Sequence, residues 1–211
     1  MRGLYLVTDR GLCGYRPLEE VVRAAVKGGA ACVQVREKDC STRFFVEEAS
    51  RLRDSLREFR VPLIINDRLD VVLAVGAEGI HIGQEDMPYD IARKLLGPRA
   101  IIGLSVETWE DVERAQDLDV DYLAVSPIFE TPTKTDTKGK WGLEGLRRVR
   151  SYSRHSLVAV GGLNAANAAD AIMAGADCIA VVSAICAAPD PFAASQKLHD
   201  IIESALLKSS R

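Results

Sequence analysis

Apolar residues along the chain fall into two alternating patterns: short runs typical of buried parallel strands, and longer stretches with helical periodicity. The short runs predict eight strands: Leu4–Thr8, Cys32–Arg36, Leu63–Ile65, Gly79–Ile82, Ile101–Leu104, Tyr122–Val125, Leu157–Val160 and Cys178–Val181. The periodic stretches predict helices at about 17–28, 42–59, 68–75, 89–96, 108–117, 142–151, 165–174 and 191–207. Eight successive β/α units predict one α/β domain over residues 1–211, a closed (β/α)8 barrel or TIM barrel.

A short repeat leads into the even-numbered strands and supports the barrel. Gly, Ala, two variable residues and an alternating apolar pair recur at Gly29–Val35, Gly76–Ile82 and Gly175–Val181, with a degenerate copy at Asp119–Val125. The glycine is expected to end a helix in the left-handed conformation. Because alternate strands fill the layers inside such a barrel, we predict one inward layer of Gln34, His81, Ala124 and Ala180.

The charge and cysteine content exclude several classes of partner. The 27 basic and 30 acidic residues are spread along the chain and give a formal charge of −3, without the basic block that nucleic acid or an anionic membrane requires. The apolar run Leu4–Val7 is too short for a signal sequence or a membrane span. The five cysteines form no C-x-x-C pair, which is typical of reduced cytosolic thiols. We expect a soluble cytoplasmic protein that binds small molecules.

Long polar side chains interrupt the second predicted strand. Gln34, Arg36 and Lys38 share one face of the alternating segment, whereas Val35 lies on the other. Buried parallel strands are normally apolar, so three such side chains directed at a barrel mouth indicate an anionic ligand. We interpret them as a phosphate or diphosphate clamp, with Arg forming paired hydrogen bonds and Lys supplying a point charge. A polar edge strand, or ion pairs with Glu37, is the structural alternative.

Two aspartates follow neighbouring strands, Asp67 after the third and Asp86 after the fourth. Taken singly, each is explained as the N-cap of the helix that follows. A carboxylate about 4 Å from a phosphate charge, however, repels it by roughly 4 kcal/mol at an effective dielectric near 20. Two aspartates beside a diphosphate are therefore explained by a divalent cation, and oxygen ligands favour Mg²⁺.

The loops after the last three predicted strands carry further candidates. Ser126–Lys138 is rich in hydroxyl and ammonium groups, and its threonines and Lys134 are interpreted as contacts of a phosphate-binding lid. A solvated surface loop is the alternative. Gly161–Asn164 and Val181–Ala184 follow the seventh and eighth strands, where this fold commonly binds phosphate.

Two more residues lie near the predicted mouth. Ser105 ends the fifth predicted strand and is expected to face the same mouth, although capping of the next helix would explain it almost as well. His81 lies below the mouth, and we expect a hydrogen-bonded interior histidine. The three histidines are scattered along the chain, which argues against a zinc site.

Taken together, these motifs resemble the thiamine phosphate synthase family over nearly the whole chain, from Leu4 to Pro189. The segments that carry the resemblance are Leu4–Asp9, Gln34–Asp39, Ile65–Arg68, His81–Asp86, Gly103–Ser105, Ser126–Phe129, Thr131–Lys134, Gly161–Gly162 and Val181–Ser183. The resemblance implies a transferase that joins 4-amino-2-methyl-5-hydroxymethylpyrimidine diphosphate to hydroxyethylthiazole phosphate, or a carboxylated tautomer of it, giving thiamine phosphate and diphosphate. It also implies a dissociative reaction, in which a pyrimidine-methyl cation is attacked by the thiazole nitrogen.

The resemblance also assigns residues to each small phosphorylated substrate. It implies that the pyrimidine diphosphate binds to Gln34, Val35, Arg36, Glu37, Lys38, Asn66, Ser105 and Lys134, among which Arg36, Lys38, Ser105 and Lys134 have the catalytic roles. It implies that the thiazole phosphate contacts Thr131, Pro132, Thr133, Gly162, Val182 and Ser183, and that Mg²⁺ binds to Asp67 and Asp86. Glu130 and Lys138–Trp141 depart from the family pattern and leave the dynamics of their loop open.

Two other functions compete with this interpretation. A thiazole tautomerase, which is an isomerase of the same fold, would bind a thiazole phosphate but would not use the metal and diphosphate site of Asp67, Asp86, Lys38 and Lys134. A non-catalytic phosphometabolite-binding barrel would keep the phosphate loops and could lose the aspartates. The sequence leaves open the thiazole tautomer, the rate-limiting step, loop closure and the oligomeric state. A homodimer is compatible with the sequence.

Overall fold

The computed structural model describes residues 1–131 and 139–209. Eight parallel strands follow one another around a closed barrel, and the eighth pairs with the first to complete it. They are β1 (Gly3–Val7), β2 (Ala30–Val35), β3 (Leu63–Asn66), β4 (Gly79–Ile82), β5 (Ile101–Val106), β6 (Tyr122–Val125), β7 (Leu157–Val160) and β8 (Cys178–Val181). The predicted (β/α)8 barrel is confirmed, and predicted strand ends differ from the observed ends by at most two residues.

Helices cover the outside of the barrel. They are α1 (Leu18–Lys27), α2 (Thr42–Leu56), α3 (Leu69–Val75), α4 (Tyr89–Leu96), α5 (Trp109–Ala115), α6 (Gly142–Tyr152), α7 (Ala168–Met173), α8 (Ser183–Cys186) and α9 (Pro191–Ser209). The sequence did not predict α8, because four residues are too few to show helical periodicity. Short 3-10 turns at Arg10–Cys13 and Arg57–Phe59 complete the regular structure of the described ranges.

Strand register gives the composition of the barrel interior. Gln34 pairs with Ile64, and Ile64 pairs with Gly79, so that His81 lies two residues further along β4. The same advance of two residues, made over every second strand around the barrel, relates His81 to Ala124, Ala124 to Ala180 and Ala180 to Gln34. This advance is expected for strands that are tilted in a barrel with a shear of about eight. The predicted inward layer of Gln34, His81, Ala124 and Ala180 is therefore confirmed.

The strand residues of opposite parity form a continuous apolar shell between the barrel and the helices. Leu4, Leu6, Val33, Val35 and Ile65 belong to this shell and are fully buried. Burial of an aliphatic side chain of this size contributes about 1.5–3 kcal/mol, so the shell supplies most of the driving force for folding. Polar residues can occupy the interior at the strand ends because the packing between sheet and helices is apolar.

The repeated glycines have the backbone conformation that the sequence predicts. Gly29, Gly76 and Gly175 have φ angles of 103°, 72° and 109°, and each lies just beyond a helix end. A Cβ at Gly29 would also lie 2.5 Å from the His199 ring, and one at Gly175 would lie 2.5 Å from Arg150 Cγ. Both the turn and the close packing therefore require glycine there.

Two further expectations can be compared with the structure. All five cysteines are free thiols, and four of them are buried. Within residues 1–131 and 139–209, the helices are too short or too polar to cross a membrane.

Candidate active site

A cavity of about 640 Å³ opens where the carboxyl ends of the strands meet. The predicted site residues that line it are Gln34, Arg36, Lys38, Asn66, Asp67, Asp86, Ser105, Thr131, Gly162, Val182 and Ser183. Two predicted residues, Val35 and Glu37, do not line the cavity. Pro132, Thr133 and Lys134 lie outside the described residues. The tertiary structure thus brings together side chains from loops that are up to about 150 residues apart in sequence.

The end of β2 presents the cationic side chains. The backbone N–H of Arg36 donates to Thr8 Oγ1 at 3.1 Å, which extends the link between β1 and β2 beyond the last strand residue. The alternation then directs Arg36 and Lys38 into the cavity, whereas Val35 is fully buried in the shell beneath the helices. Glu37 accepts hydrogen bonds from Arg10 at 3.2 and 3.1 Å. Ion pairing of the strand with Glu37 therefore involves Arg10, and Arg36 and Lys38 face the cavity.

Asp67 and Asp86 face each other across the ends of β3 and β4. Asp67 has a left-handed backbone with φ of 61°, and its N–H donates to the His81 carbonyl at 2.8 Å. Asp86 Oδ2 accepts from the Gly83 N–H at 2.7 Å. The N-cap of α3 is Arg68, without a side-chain cap, and α4 begins after Pro88. Neither aspartate caps the following helix, so N-capping does not explain these two residues.

Electrostatics in the cavity disfavour two negative charges at this place. Burial raises the pKa of Asp67 to about 6, and a hydrogen bond to Asp86 together with its charge adds to the effect. Lys38 and Arg36 act in the opposite direction and lower the pKa of Asp67. A divalent cation between the two carboxylates would offset their repulsion, and carboxylate oxygens are ligands that Mg²⁺ prefers.

The donor set fits Mg²⁺ when a substrate supplies the remaining ligands. Within the described ranges, no group of three or more His, Cys, Asp or Glu side chains could hold a metal ion by itself. Mg²⁺ is usually held by one or two carboxylates, with phosphate oxygens and water completing an octahedron. Asp67 and Asp86 would therefore be the protein ligands of such an ion, and a phosphorylated substrate would supply further ligands.

Ser105 is held in the cavity by two interactions. Its Oγ lies 2.8 Å from Nε2 of His81, and its carbonyl accepts from Gln84 Nε2 at 2.6 Å. The helix that follows is capped by a box of Thr108 and Asp111, so Ser105 is not a helix cap. His81 is buried and hydrogen-bonded inside the barrel, as the sequence predicts.

The loops after β6, β7 and β8 form the opposite wall. Phe129 N–H donates to the Gly161 carbonyl at 3.1 Å. A Cβ at Gly162, whose φ is 67°, would lie 2.7 Å from the Glu130 carbonyl oxygen and 2.7 Å from Phe129 Cβ. These glycines therefore allow the β7 loop to pack against the β6 loop. Ser183, which opens α8, lies beside Val182 on the same wall.

The sequence interpretation missed several cavity residues. Tyr5 and Tyr122 form the floor of the cavity, and Gln84, Glu107 and Asp111 line its side. The two tyrosines stand at inward positions of the same alternation that identified Gln34 and His81, so they could have been found. Glu107 and Asp111 carry no such signal, because they belong to a loop and a helix whose approach depends on tertiary packing.

Comparisons with known proteins agree over most of the chain. A family model described as thiamine monophosphate synthase matches residues 4–185. The chain is 56% identical over 201 residues to a thiamine-phosphate synthase of Albidiferax ferrireducens, with 95% of this chain and 92% of the relative covered. It is 52% identical over 204 residues to one of Leptospira biflexa, with 95% and 97% covered.

Solved structures give the same fold. The structure of a thiamine phosphate pyrophosphorylase from Pyrococcus furiosus matches with a TM-score of 0.89 and 39% identity, covering 97% of this chain and 96% of the other. A (S)-3-O-geranylgeranylglyceryl phosphate synthase from Thermoplasma acidophilum matches with a TM-score of 0.69 at 14% identity, over 95% of this chain and 92% of that one. The second likeness concerns the barrel alone.

Proposed function

We propose a reaction for this chain, which belongs to the thiamine monophosphate synthase family and is a transferase enzyme. It joins hydroxymethylpyrimidine diphosphate to hydroxyethylthiazole phosphate. The products are thiamine phosphate and diphosphate. The observation that carries this proposal is the meeting of Arg36 and Lys38 with the facing carboxylates of Asp67 and Asp86 in one cavity. A thiazole tautomerase and a non-catalytic barrel are not favoured, because the two relatives above are named thiamine-phosphate synthase and the Pyrococcus furiosus structure is named thiamine phosphate pyrophosphorylase.

The cationic strand end binds the diphosphate in this proposal. Arg36 offers a planar pair of N–H donors, and Lys38 adds a mobile charge at the exposed rim. Asp67 and Asp86 would hold Mg²⁺, which supplies charge neutralisation to the departing diphosphate when it is bound. Gln34 and Asn66 are buried amides at the cavity floor and orient the pyrimidine.

The proposed chemical step is a dissociative substitution. The bond between the pyrimidine methylene carbon and the diphosphate oxygen breaks, and its electron pair leaves with diphosphate. The thiazole nitrogen then donates its lone pair to the methylene carbon and forms the new C–N bond. The residues of this chain contribute by orientation and by stabilising the charge that develops on the leaving group, with Ser105 and Lys134 as predicted donors.

The thiazole phosphate is proposed to bind against the wall of the β6, β7 and β8 loops. Thr131, Gly162, Val182 and Ser183 line this side of the cavity. Loops after strands 7 and 8 are the common phosphate site of this fold. Pro132 and Thr133 remain predicted contacts of the same substrate. Two substrates would then meet with their reacting atoms near the centre of the cavity.

A coupled assay tests the proposal. The pure protein is incubated with the pyrimidine diphosphate, the thiazole phosphate and Mg²⁺, and thiamine phosphate and diphosphate are quantified. We expect equal amounts of both products, and loss of turnover with EDTA that excess Mg²⁺ restores. Absence of thiamine phosphate, or turnover that EDTA leaves undiminished, would contradict the proposal.

Matched variants assign the metal ligands. Asp67→Asn and Asp86→Asn keep side-chain volume and remove charge, so each should lower kcat/KM by about 100-fold or more, as loss of transition-state charge stabilisation does. Asp90→Asn is the control, because Asp90 is an exposed residue in the first turn of α4. Near-normal kinetics in either of the first two variants would exclude that aspartate as a metal ligand.

A further inference from the structure

A chain of hydrogen bonds crosses the interior of the barrel and ends at the cavity. Gln34 Nε2 donates to the Tyr5 hydroxyl oxygen at 2.9 Å, and the hydroxyl oxygens of Tyr5 and Tyr122 are 2.9 Å apart. Nδ1 of His81 lies 3.1 Å from the Tyr122 hydroxyl oxygen, and Nε2 lies 2.8 Å from Ser105 Oγ. Four hydrogen bonds thus connect five side chains from five different strands.

Both phenols carry their protons. Tyr5 and Tyr122 are almost entirely buried, and burial raises the pKa of each well above its ordinary value of 10.0. The rings meet edge to face with centroids 6.0 Å apart, and the His81 ring stacks on Tyr122 at 5.7 Å. Each hydroxyl therefore has one proton to donate and is held in place by its ring contacts.

The donor at Gln34 determines the direction of the chain. Because the amide N–H of Gln34 donates to Tyr5, the Tyr5 hydroxyl accepts there and its proton is directed elsewhere. The Tyr122 oxygen is the strong acceptor at hydrogen-bonding distance, whereas the sulfur of Cys32, which packs in the same interior cluster, is a weak acceptor. Tyr122 then keeps its own proton for Nδ1 of His81.

We propose that this chain runs in one direction, from Gln34 through Tyr5, Tyr122 and His81 to Ser105, and that it makes Ser105 a hydrogen-bond donor to the substrate. His81 receives a proton at Nδ1 from Tyr122, so it is the Nε2–H tautomer and donates to Ser105 Oγ. The Ser105 hydroxyl proton is then directed into the cavity. Tyr122 and His81 are positioning residues, because they act through Ser105.

The direction matters for the proposed function, on which this catalytic consequence rests. In the reverse direction Ser105 would donate to His81 and present lone pairs to the cavity, where they would oppose the oxygens of an anionic substrate. In the assigned direction Ser105 presents a donor to an oxygen that gains negative charge as diphosphate leaves. The interior supplies the orientation before the substrate binds, without a rearrangement during the reaction.

The tautomer can be measured without any substrate. Protein with ¹⁵N-labelled histidine is examined at pH 8 by NMR correlation of ring nitrogens with ring carbon-bound protons, and His81→Gln identifies its signals among the three histidines. We expect the neutral Nε2–H form for His81 in the wild type. The Nδ1–H form, or a ring protonated on both nitrogens, would overturn the assigned direction. Failure of the coupled assay leaves this result unaffected, so the two proposals fail separately.

Two isosteric variants test the order of the chain. Tyr122→Phe removes the donor to Nδ1, so His81 should become a mixture of tautomers and kcat/KM should fall by about 10- to 100-fold, in the range of one lost transition-state donor. Tyr5→Phe removes the hydroxyl through which Gln34 fixes the Tyr122 proton but leaves the Tyr122 hydroxyl beside Nδ1, so the preference for the Nε2–H form and kcat/KM should both fall by less than in Tyr122→Phe. Equal effects of the two variants on the tautomer would contradict the proposal.

A double-mutant cycle separates positioning from a merely structural role. If Tyr122 acts through Ser105, Tyr122→Phe should change kcat by less than about twofold in a Ser105→Ala background, because the group it positions is already absent. A general loosening of the barrel would lower activity by the same factor in both backgrounds, and that result would overturn the role of Tyr122. Urea unfolding of each variant verifies that the folded state is populated.

Discussion

The phenol ring of Tyr122 occupies the space in which a side chain at residue 103 would lie. A Cβ on Gly103 would be 2.0 Å from Cζ and 2.3 Å from the hydroxyl oxygen of Tyr122. The two residues are register partners on β5 and β6. The missing side chain on one strand therefore allows the hydroxyl of the next to reach His81 in the layer above.

Gly103→Ala should destabilise the protein through this contact alone, since Gly103 needs no unusual φ. Overpacking of a barrel interior costs about 1–3 kcal/mol, and displacement of a buried hydroxyl from its partners adds about 1–3 kcal/mol. The free energy of unfolding in urea measures the loss. In a Tyr122→Leu background the same alanine should cost less than about 1 kcal/mol, because the ring is gone; equal costs in both backgrounds would contradict the explanation.

Gly162→Ala should weaken binding of the thiazole phosphate selectively. The new Cβ would meet the Glu130 carbonyl and Phe129, so the β7 loop must move away from the β6 loop. We expect an increase of about tenfold in KM for the thiazole phosphate, as displacement of a binding loop by about 1 Å produces, and little change in KM for the pyrimidine diphosphate.

Gly97→Ala is the matched control for this variant. Gly97 also has a positive φ, of 78°, but no atom lies within 4 Å of its added Cβ. Because its φ of 78° and ψ of 177° lie in a region that is essentially restricted to glycine, the alanine should cost about 1–3 kcal/mol of stability and leave both KM values unchanged. A similar kinetic effect of the two substitutions would show that strain, and not the contact with Glu130 and Phe129, is responsible.

Protons and Mg²⁺ should compete for the facing aspartates. Because the folded protein raises the pKa of Asp67 to about 6, the metal-free native state binds a proton that the unfolded chain releases near pH 4. This contribution to stability is complete below about pH 4 and is lost as the pH rises through about 6. Mg²⁺ replaces the proton, so it should stabilise the protein more strongly at pH 7.5 than at pH 5.

Thermal melts titrated with MgCl₂ at constant ionic strength measure this competition. The Mg²⁺ concentration that gives the same small increase in the free energy of unfolding should be about tenfold higher at pH 5 than at pH 7.5, since the proton occupies the site about ten times out of eleven one unit below its pKa. Asp67→Asn should abolish both the increase and its pH dependence. The same concentration at both pH values would exclude proton competition at this pair.

Arg10 supports the cationic strand end from behind. Its guanidinium lies 3.1 Å from Glu37 Oε1 and 3.2 Å from Glu48 Oε2, and the two carboxylate side chains are 9% and 7% exposed. Glu37 lies between Arg36 and Lys38 in the sequence, and Arg10→Gln removes the cation that pairs with it. We expect a loss of about 1–3 kcal/mol, less than for a fully buried pair because Arg10 itself is 39% exposed, and a higher KM for the pyrimidine diphosphate.

Arg147→Gln is the comparison for Arg10. Arg147 pairs with Glu144 on α6, and both side chains are at least half exposed. Such surface pairs contribute about 0–1 kcal/mol, so stability and kinetics should be nearly unchanged. If Arg10→Gln is equally neutral in stability and KM, the ion pairs behind β2 do not hold the strand end.

The order of strands and helices could be predicted from the sequence, because apolar periodicity is a local property of the chain. The same alternation assigned Gln34 and His81 to the interior and separated Arg36 from Val35. Its limits were also local: the four residues of α8 are too few to show a period, and nothing in the pattern around Glu107 and Asp111 indicates that they line the cavity. The role of Glu37 depended on Arg10, which lies 27 positions earlier in the chain.

The sequence by itself determined the barrel, its inward-facing positions and the kinds of side chain at its mouth, since eight successive β/α units and the alternation within each strand are local patterns of the chain. Tertiary structure alone decided which of these side chains face one another. The sequence predicted that Asp67 and Asp86 share one site, with a helix cap as the alternative for each, and the packing of β3 beside β4 brings the two carboxylates together without either capping a helix. The five-residue chain to Ser105 likewise exists because the Tyr122 ring on β6 fills the space beside Gly103 on β5. Packing between the two strands sets this contact, and the order of residues along either strand does not.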